Sequence, residues 1–510
     1  MQAARYFNTS GPNIPSRHYT LIRPALVAEG QDMVNRERYF TIWAPRQTGK
    51  STYFLLLTEK LIEEGYKVLH INLENFSQTS VQELMHYFRR EAQRQWEIDF
   101  PEPDSFEQFF NRISEIKNSL LVLIIDEIEG LNPELFGQFL HTIRNLYHSR
   151  QTHGLKSVIL VGVNNIVGIV HDNASPFNIA DNLAIPYFTD AETVELLGQH
   201  EAETGQRFDP AVFAHISHIT ANQPGLVNGF AYQLVERFPQ KPVLTAEDYF
   251  VVEDWYNRLA IDKNVSNIIN KARQHRAFVE RLLFTEEPYP FRINDPATRF
   301  LHIHGLIRDD GEGKITFWVP LYKKALLDAF YPYTNGEKKQ IIQNIAPWNY
   351  FSPEGILDMA KVIAEYKAYV KRRSFKYFRE KDENGQYVSI KEAALMYSFE
   401  TYIQAFLLAC GGKSYLEPHA GPGRADLILN LENREYVIEA KIYRYPKQFQ
   451  DGKKQLARYI HSLGLAEGWY LVFVPEGLNY TQLRIAEAVE TWEGVVIHTA
   501  LVFYNEDNDF

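Results

Sequence analysis

Apolar residues in the first third of the chain follow two alternating patterns. The runs 66–73, 120–125 and 157–163 are short and rich in aliphatic residues, which is typical of strands buried on both faces of a parallel sheet. Between these runs, apolar residues recur at the spacing that places them on one face of a helix. The pattern therefore predicts an α/β domain with a parallel sheet.

The last quarter of the chain shows a different order of elements. A helical stretch over 390–412 precedes two β-rich runs, 427–431 and 434–443, which flank a short turn at Glu432 and Asn433. A further apolar run, WYLVFVPEG, adds another strand. This order predicts a second, separate α/β domain.

Length, composition and charge limit the classes of protein that fit. With 510 residues the chain exceeds what one hydrophobic core ordinarily supports, and its 45% hydrophobic and 23% charged residues are typical of folded domains. A net charge of -11 excludes a surface that is basic everywhere, so nucleic-acid binding would need a local patch. The single cysteine, Cys410, excludes an internal disulfide. No stretch resembles a signal peptide or a membrane span, which predicts a cytoplasmic protein without a membrane partner.

The first candidate site is the segment APRQTGKS between a strand and a helix. It matches the phosphate-binding pattern GxxxxGK[ST] except at Ala44, which replaces the first glycine. The backbone amides of 47–51 would surround the phosphates of ATP, Lys50 would reach the β and γ oxygens, and the Ser51 hydroxyl would bind magnesium. The nucleotide-binding residues predicted here are Ala44, Pro45, Arg46, Gln47, Thr48, Gly49, Lys50, Ser51 and Thr52.

The apolar run 120–125 ends in two acidic residues, Asp126 and Glu127. Such a strand end is typical of a Walker B element. Asp126 is predicted to bind magnesium with Ser51, and Glu127 to polarise the water that attacks the γ-phosphate.

Several segments resemble the prokaryotic AAA-like ATPases related to the signalling NTPases with numerous domains. They are IRP at 22–24, APRQTGKS at 44–51, SPFNI at 175–179 and TANQPGLVN at 220–228. The resemblance implies an additional-strand ATPase core in which Asn164 is a polar sensor and Pro224 contacts the nucleotide base. Asn222 stands where the family has glycine.

Residues 264–330 read as helices followed by a hairpin around 309–313, which resembles a winged-helix domain. Such a domain binds DNA in some proteins and packs on the ATPase core in others. We favour packing, because the helix before Gly305 is not basic. The following stretch 366–381 interleaves lysine and arginine with aromatic residues, which fits either nucleic-acid binding or an amphipathic helix with a buried aromatic face.

The second candidate site follows from the register of the C-terminal hairpin. If Leu431 pairs with Arg434, Asp426 lies opposite Glu439, and strand alternation places Lys441 on the same face as Glu439. Opposed carboxylates favour a cation, so we expect Asp426, Glu439 and the Ala440 carbonyl to bind magnesium or manganese. Lys441 would orient the nucleophile or neutralise the transition state of phosphodiester hydrolysis.

The segments GRAD at 423–426 and EAK at 439–441 resemble the PD-(D/E)XK nuclease superfamily. The resemblance implies that Glu400, on the preceding helix, is an additional metal ligand. Gln455 and Tyr459 match the QxxxY element of RecB-like members, which places them among the catalytic residues. It also implies DNA as the partner and leaves RNA open.

Together these features predict an α/β multidomain protein: a P-loop ATPase with a parallel sheet, additional strand and catalytic glutamate, a helical lid, a winged-helix-like domain and a nuclease fold. The segments are 1–30, an N-terminal segment contacting the nucleotide domain; 31–190, the ATPase core; 191–250, the lid; 251–332, the winged-helix-like domain; 333–385, a helical basic and aromatic linker; and 386–510, the nuclease-like domain.

Two functions fit this division. In the first, the nucleotide state regulates a metal-dependent DNA nuclease, in a setting that family analogy places in prokaryotic defence or mobile elements. In the second, ATP drives a switch whose nuclease-like domain only binds nucleic acid or a partner. Whether the chain forms a homo-oligomer stays open.

Overall fold

A computed structural model describes most of the chain. The described residues are 5–74, 76–77, 79–99, 101–116, 119–131, 133–162, 181–258, 262–285, 289–330, 350–352, 356–371, 375, 389–410, 412–416, 419–420, 423–431, 434–476 and 485–505. Asn164, the segment 175–179 and the basic residues of the linker after Lys371 lie outside them.

The chain forms two compact units. The first comprises Met1–Ile268, Arg292–Arg308 and Phe317–Leu321, and the second comprises Ile269–Phe291, Asp309–Thr316 and Tyr322–Phe510. The segment predicted as a winged-helix-like domain is therefore divided between the two units, whereas the sequence treats it as one domain.

Helices and short strands occupy the described residues between 24 and 330. The helices are α1 (Pro24–Asn35), α2 (Lys50–Glu63), α3 (Val81–Gln95), α4 (Phe106–Glu115), α5 (Pro133–His148), α6 (Asp190–Thr204), α7 (Pro210–Thr220), α8 (Pro224–Arg237), α9 (Ala246–Arg258), α10 (Lys263–Gln274), α11 (Arg276–Phe284), α12 (Pro296–Ile303) and α13 (Pro320–Phe330). The strands are β1 (Phe40–Trp43), β2 (Lys67–Asn72), β3 (Leu121–Asp126), β4 (Leu155–Gly162), β5 (Asp181–Ala184), β6 (Arg207–Phe208), β7 (Val243–Leu244), β8 (Ile307–Asp309) and β9 (Ile315–Phe317).

A five-stranded parallel sheet organises the first unit, in the order β2-β3-β4-β1-β5. β4 lies between β1 and β3, which confirms the additional strand predicted from the sequence. The aliphatic residues of β3 are fully buried because helices cover both faces of the sheet. Phe109 and Phe139 lie in the core on one face, and Phe54 and Leu57 lie in the core on the other.

Helices α6 to α9 cover the segment predicted as a helical lid, and local capping fixes where the first three of them begin. Thr189 and Glu192 form a reciprocal capping box at the start of α6. Asp209 and Gln223 cap α7 and α8, and each is followed by a proline at the first helical position. The start of α8 is therefore fixed at Pro224, which brings the predicted base-contacting residue to a helix N-terminus.

The chain after α12 packs against the phosphate loop. Gly305 has a φ of 79°, and a Cβ there would lie 3.0 Å from Pro45 Cβ and 3.0 Å from the Tyr187 hydroxyl. The neighbouring hairpin turn is acidic, since Asp309 accepts hydrogen bonds from Gly311 N and Gly313 N and Asp310 follows it. An acidic turn disfavours contact with phosphates.

A six-stranded mixed sheet organises the second unit, in the order β10-β13-β14-β15-β17-β16. Its strands are β10 (Lys413–Leu416), β13 (Leu427–Leu431), β14 (Arg434–Ile442), β15 (Glu467–Pro475), β16 (Ala488–Trp492) and β17 (Val495–Tyr504), with a separate pair β11 (His419–Ala420) and β12 (Gly423–Arg424). The helices after α13 are α14 (Met359–Lys371), α15 (Glu392–Ala409) and α16 (Pro446–Ser462). β13 and β14 are antiparallel, whereas β14, β15 and β17 are parallel.

Close helix packing fixes the position of α16 on the sheet. A Cβ at Gly452 would lie 2.7 Å from Tyr470 Cζ, so only glycine permits this approach of α16 to β15.

On α14, Tyr366 is fully buried against Phe399, and Lys371 is exposed. Over the described residues 366–371, this is the arrangement of an amphipathic helix with a buried aromatic face.

Along the described stretches, no helix is both long and apolar enough to cross a bilayer.

Candidate functional site

The phosphate loop connects β1 to α2 through two residues with left-handed backbone conformation. Gln47 has a φ of 57° and Gly49 has a φ of 89°, and α2 begins immediately afterwards at Lys50. Thr48 Oγ1 donates to Pro45 O at 3.0 Å, which closes the loop from within. Alternating backbone twists of this kind turn successive N–H groups toward one side, where an anion can bind them.

Lys50 is buried and folds back over the loop. Its Nζ donates to Ala44 O at 2.7 Å and to Pro45 O at 3.1 Å. Ala44 is not among the residues with positive φ, so the residue that replaces the pattern's first glycine is unstrained. The departure at Ala44 leaves the loop conformation intact.

The two acidic residues after β3 have different surroundings. Asp126 is buried, and its Oδ1 accepts a hydrogen bond from Glu127 N at 3.0 Å. Glu127 has a φ of 51°, which turns the chain sharply at the strand end, and it lines the same cavity as the phosphate loop. His70 on β2 lies with its Nε2 3.9 Å from Asp126 Oδ2.

A cavity of about 510 Å³ lies over the phosphate loop. Its lining includes Lys50, Ser51, Thr52, Glu127 and Pro224, which the sequence predicts as nucleotide-site residues, all from the first unit. Its volume is in the range of small-molecule and cofactor sites. The structure thus brings the predicted phosphate-loop residues, the predicted catalytic glutamate and Pro224 to one place.

The lid reaches the phosphate loop through α8. Gly225 N donates to Gln47 O at 3.0 Å, and Gln223 Nε2 donates to Arg46 O at 3.1 Å. A Cβ at Gly225 would lie 2.7 Å from Gln47 Cβ, so glycine is required for this approach. Asn222 has a φ of 58°, a conformation that asparagine tolerates better than most residues, which explains how it replaces the family's glycine.

Two hydrogen bonds to the phosphate loop and the start of α2 involve residues that the sequence does not single out. Asn264, at the start of α10, donates from Nδ2 to Gln47 Oε1. Asn13 N donates to Thr52 Oγ1 at 2.9 Å, which ties the N-terminal segment to α2. Neither asparagine belongs to a recognisable motif, so no local signal in the sequence indicates either contact.

The second candidate site lies where β13 begins and β14 ends. Leu431 pairs with Arg434 and Leu427 pairs with Ile438, which is the register that the sequence predicts. Asp426 immediately precedes β13, and its Oδ2 accepts a hydrogen bond from Ala440 N at 2.8 Å. Asp426, Glu439 and Lys441 therefore converge, as expected from strand pairing alone.

Lys441 lies at the centre of this cluster. Its Nζ is 3.0 Å from Glu439 Oε1 and 3.4 Å from Asp426 Oδ2, and it donates to Ala440 O at 2.9 Å. It also donates to Glu392 Oε1 at 2.9 Å, and Glu392 Oε2 accepts from Ile442 N at 3.0 Å. Glu392, the first residue of α15, is thus a member of the site that sequence reasoning missed.

Burial and mutual repulsion set the electrostatics of the cluster. Burial, and next the charge of Asp426, raises the pKa of Glu439 to about 8. Burial also raises the pKa of Glu392, although Lys441 opposes the shift. For Lys441, burial lowers the pKa, but the three carboxylates outweigh it and the pKa is raised overall. The ammonium is therefore held charged among acidic groups.

Glu400 does not occupy the position expected for it. Its carboxylate is buried and accepts a hydrogen bond from Ser414 on β10 at 2.5 Å. Glu400 lies eight residues after Glu392, which is about 12 Å along the helix and about 80° around it. The glutamate of α15 that bonds Lys441 is Glu392, whereas Glu400 bonds Ser414, and the role of Glu400 as a metal ligand stays a prediction.

Gln455 and Tyr459 share α16 but differ in environment. Gln455 is exposed, whereas Tyr459 is buried and its hydroxyl bonds with the backbone of Ala425, the residue before Asp426. Tyr459 therefore supports the approach to β13. Gln455 is exposed and does not take part in this support of β13.

The donors at this site fit a cation. In the described part of the chain, no group of three or more histidine, cysteine, aspartate or glutamate side chains is arranged to hold a metal ion. The smaller set of Asp426, Glu439 and the Ala440 carbonyl nevertheless surrounds one positive charge, the Lys441 ammonium. Glu439 Oε1 is buried and lies 3.0 Å from the Lys441 ammonium. A buried carboxylate is stabilised by a cation beside it, and Lys441 supplies that charge here.

The sheet order, the phosphate loop, the Asp126–Glu127 strand end and the helical lid together define a P-loop ATPase-like protein that binds ATP. The family model described as an AAA-like domain matches residues 23–326. The chain belongs to the AAA-like domain family.

Solved structures with similar folds are P-loop proteins of low sequence identity. The Walker-type ATPase of Pyrococcus abyssi is 14% identical with a TM-score of 0.47, and the match covers 63% of this chain and 99% of that one. The RuvB Holliday junction branch migration motor of Thermotoga maritima is 11% identical with a TM-score of 0.36, covering 58% of this chain and 90% of RuvB. The Aeropyrum pernix ORC1 protein, solved in complex with DNA, is 13% identical with a TM-score of 0.34, covering 60% and 92%. No curated protein matches the chain.

Proposed function

We propose that this protein is an ATP-regulated, metal-dependent DNA nuclease. ATP binding or hydrolysis at the phosphate loop would control phosphodiester hydrolysis at the Asp426 cluster. The observation that carries the proposal is the convergence of Asp426, Glu439 and Lys441 at one end of a hairpin, on a chain that also carries an AAA-like domain. The combination of a central mixed sheet with a D…ExK hairpin supports a nuclease fold of the PD-(D/E)XK type.

At the nucleotide site, each residue has a distinct task. The amides of the loop around Gln47 and Gly49 bind phosphate oxygens, and Lys50 exchanges its carbonyl partners for the β and γ phosphates. Ser51 and Asp126 hold the magnesium that accompanies ATP, and Glu127 orients the attacking water. α8 supplies Pro224 beside the loop, where a nucleotide base can pack.

At the nuclease site, the chain supplies two carboxylates, an ammonium and a carbonyl. Asp426, Glu439 and the Ala440 carbonyl would bind magnesium or manganese, with Glu392 as the helix carboxylate beside them. The bound ion would activate water and stabilise charge on the phosphate. Lys441 orients the attacking oxygen or neutralises the transition state, and Glu392 holds the Lys441 ammonium in place. Tyr459 fixes the backbone before Asp426.

One observation favours a second function. Lys441 already pairs with Glu392 and Asp426, so a side-chain ammonium occupies the centre of the cluster. The nuclease-like domain could then serve as a binding module of an ATP-driven switch. In that case Lys50→Ala abolishes the cellular function, whereas Glu439→Ala leaves it unchanged.

A nuclease assay separates the two functions. Purified protein is incubated with linear duplex, nicked and single-stranded DNA and with RNA, in magnesium or manganese, with and without ATP. Cleavage by the parent protein that is lost in Asp426→Ala and altered by ATP in the parent but not in Lys50→Ala supports the nuclease. If the parent cuts none of these substrates and Asp426→Ala behaves like the parent in cells, the proposed nuclease is wrong.

A further inference from the structure

A second cavity lies in the second unit, beside the Asp426 cluster. It has a volume of about 370 Å³ and is lined by Glu392 and Asp426 on its acidic side. Four basic residues line the same cavity: Lys323, Lys324, Lys391 and Arg444. The candidate catalytic carboxylates therefore open onto a pocket with a basic wall.

The basic wall comes from elements outside the D…ExK hairpin. Lys323 and Lys324 lie on α13, and Lys391 immediately precedes α15. α13 is held beside α15 by a hydrogen bond of 3.2 Å from the Tyr397 hydroxyl to Asp328 Oδ1. The two lysines of α13 also fall within the residues 23–326 that the AAA-like family model matches. They thus reach the pocket from a segment that the hairpin motif does not include.

The charge of this pocket exceeds what its carboxylates require. Four cationic side chains face two carboxylates, 4 − 2 = +2, in a chain whose net charge is -11. Both carboxylates are already paired with Lys441, at 2.9 Å for Glu392 and 3.4 Å for Asp426. A local positive surplus on an acidic protein selects for an anion.

The apolar part of the lining restricts what kind of anion fits. Leu327, Met396 and Leu416 line the cavity together with the charged residues. A pocket with both apolar and cationic walls suits a ligand that carries phosphate next to a sugar or base. A phosphodiester strand that places one phosphate at Asp426 necessarily brings neighbouring phosphates into the same region.

We propose that Lys323 and Lys324 form a phosphate-binding subsite that holds the DNA strand beside the phosphate to be cleaved. The subsite deepens the proposed nuclease function and rests on it for the identity of the strand. Lys391 and Arg444 line the same pocket and add to its positive field. The two α13 lysines position the substrate and take no part in the bond-breaking step.

The test measures DNA binding by the full-length protein without cleavage. Asp426→Asn is the background, and the probes are a short fluorescein-labelled single-stranded DNA, its duplex and the matching RNA. Lys323→Gln/Lys324→Gln is compared with Lys60→Gln/Lys361→Gln, which removes the same charge from exposed faces of α2 and α14. Affinity is measured by anisotropy over a series of salt concentrations.

Loss of two phosphate contacts should weaken DNA binding roughly tenfold or more and reduce the slope of log affinity against log salt by about 1 to 2. The control pair should keep both the affinity and the slope. Lys323→Arg/Lys324→Arg keeps the charge and should restore binding, which separates a charge effect from a folding defect. ATP hydrolysis should stay unchanged in all these variants.

Three results overturn the subsite: no DNA binding by the Asp426→Asn protein, equal affinity and salt slope in the two glutamine pairs, or binding of RNA alone. Different results would contradict the proposed nuclease activity. If the α13 lysines are required for DNA binding but the parent protein cleaves no substrate, the subsite stands and the domain is a binding module. If the parent cleaves DNA and the α13 pair has no effect on its binding, the nuclease stands and the subsite is wrong.

Discussion

Glu392 and Lys441 are joined by a hydrogen bond of 2.9 Å that connects the start of α15 to the end of β14. The other oxygen of Glu392 accepts from Ile442 N at 3.0 Å, so this carboxylate fixes both the side chain of Lys441 and the backbone after it. Removing its charge should therefore disturb the position of Lys441 without unfolding the sheet.

We expect Glu392→Gln to lower DNA cleavage about 10- to 100-fold, the usual effect of losing a group that orients a ligand or catalytic residue. Glu400→Gln is the matched control on the same helix, and cleavage should stay close to that of the parent. The parent and the two variants are compared by their initial rates of DNA cleavage at saturating manganese. A larger loss of DNA cleavage in Glu400→Gln than in Glu392→Gln would show that Glu400, and not Glu392, is the carboxylate of α15 that cleavage requires.

Lys50 and Glu127 should separate nucleotide binding from hydrolysis. Lys50→Ala removes the cation that we expect to contact the phosphates, so binding of a fluorescent ATP analogue should be lost. Glu127→Gln should bind the analogue normally but hydrolyse ATP about 10²- to 10⁴-fold more slowly, because the water loses its base. Lys60→Ala, at an exposed position of α2 paired with Glu63, should change neither measurement. Normal turnover in Glu127→Gln would exclude this glutamate as the catalytic base.

Gly225 should be essential for contact between the lid and the phosphate loop. A methyl group there would lie 2.7 Å from Gln47 Cβ, so Gly225→Ala must displace either α8 or the loop, at a cost of about 1 to 3 kcal/mol. We expect ATP affinity to fall about tenfold with the secondary structure unchanged. Gly198→Ala on α6 is the control, because no atom lies within 4 Å of the added methyl. Equal ATP affinities in the two variants would show that the lid does not set the loop conformation.

The raised pKa of Glu439 predicts how stability depends on pH in the absence of divalent metal. The pKa is about 8 in the folded state and 4.5 ordinarily, so between these values the folded chain binds more protons than the unfolded chain. The contribution of Glu439 to stability is therefore complete below pH 4.5 and is lost as pH rises through 8. Glu439→Gln mimics the protonated form and should show a smaller decline.

Hydrogen exchange of the β14 and β15 amides in chelator, corrected for the intrinsic pH dependence of exchange, measures this effect locally. Protection in the parent should decrease from about pH 5 to about pH 8 more steeply than in Glu439→Gln. Identical pH profiles in the two proteins would contradict the raised pKa.

Features set by neighbours in the sequence could be predicted well. The phosphate loop, the strand that ends at Asp126 and the additional strand β4 each follow from local patterns with a definite period. The pairing of Leu431 with Arg434 follows from a turn of two residues, and it places Asp426 beside Glu439 without knowledge of the rest of the fold. Local geometry determines these relationships.

Features set by tertiary docking could not be predicted. α15 is apolar around most of its circumference, so its sequence does not reveal whether Glu392 or Glu400 faces β14. The docking of α15 against β10 and β14 decides this, because it directs Glu400 to Ser414 and Glu392 to Lys441. Contacts such as Asn264 with Gln47 join residues more than two hundred positions apart, and no local pattern encodes them.

The position of Lys323 and Lys324 has a consequence for how this chain can be dissected. A fragment that starts at residue 333, where the sequence suggests a boundary, keeps the whole mixed sheet and every D…ExK residue but loses α13. It also loses Phe284, whose carbonyl accepts from Lys391 N at 2.8 Å. Such a fragment would keep the candidate catalytic residues but lose one wall of the pocket beside them. The C-terminal sheet is therefore not an independent unit that can be moved without its neighbouring helices. Any exchange of this region between proteins, in the laboratory or in evolution, has to carry α11 and α13 with it.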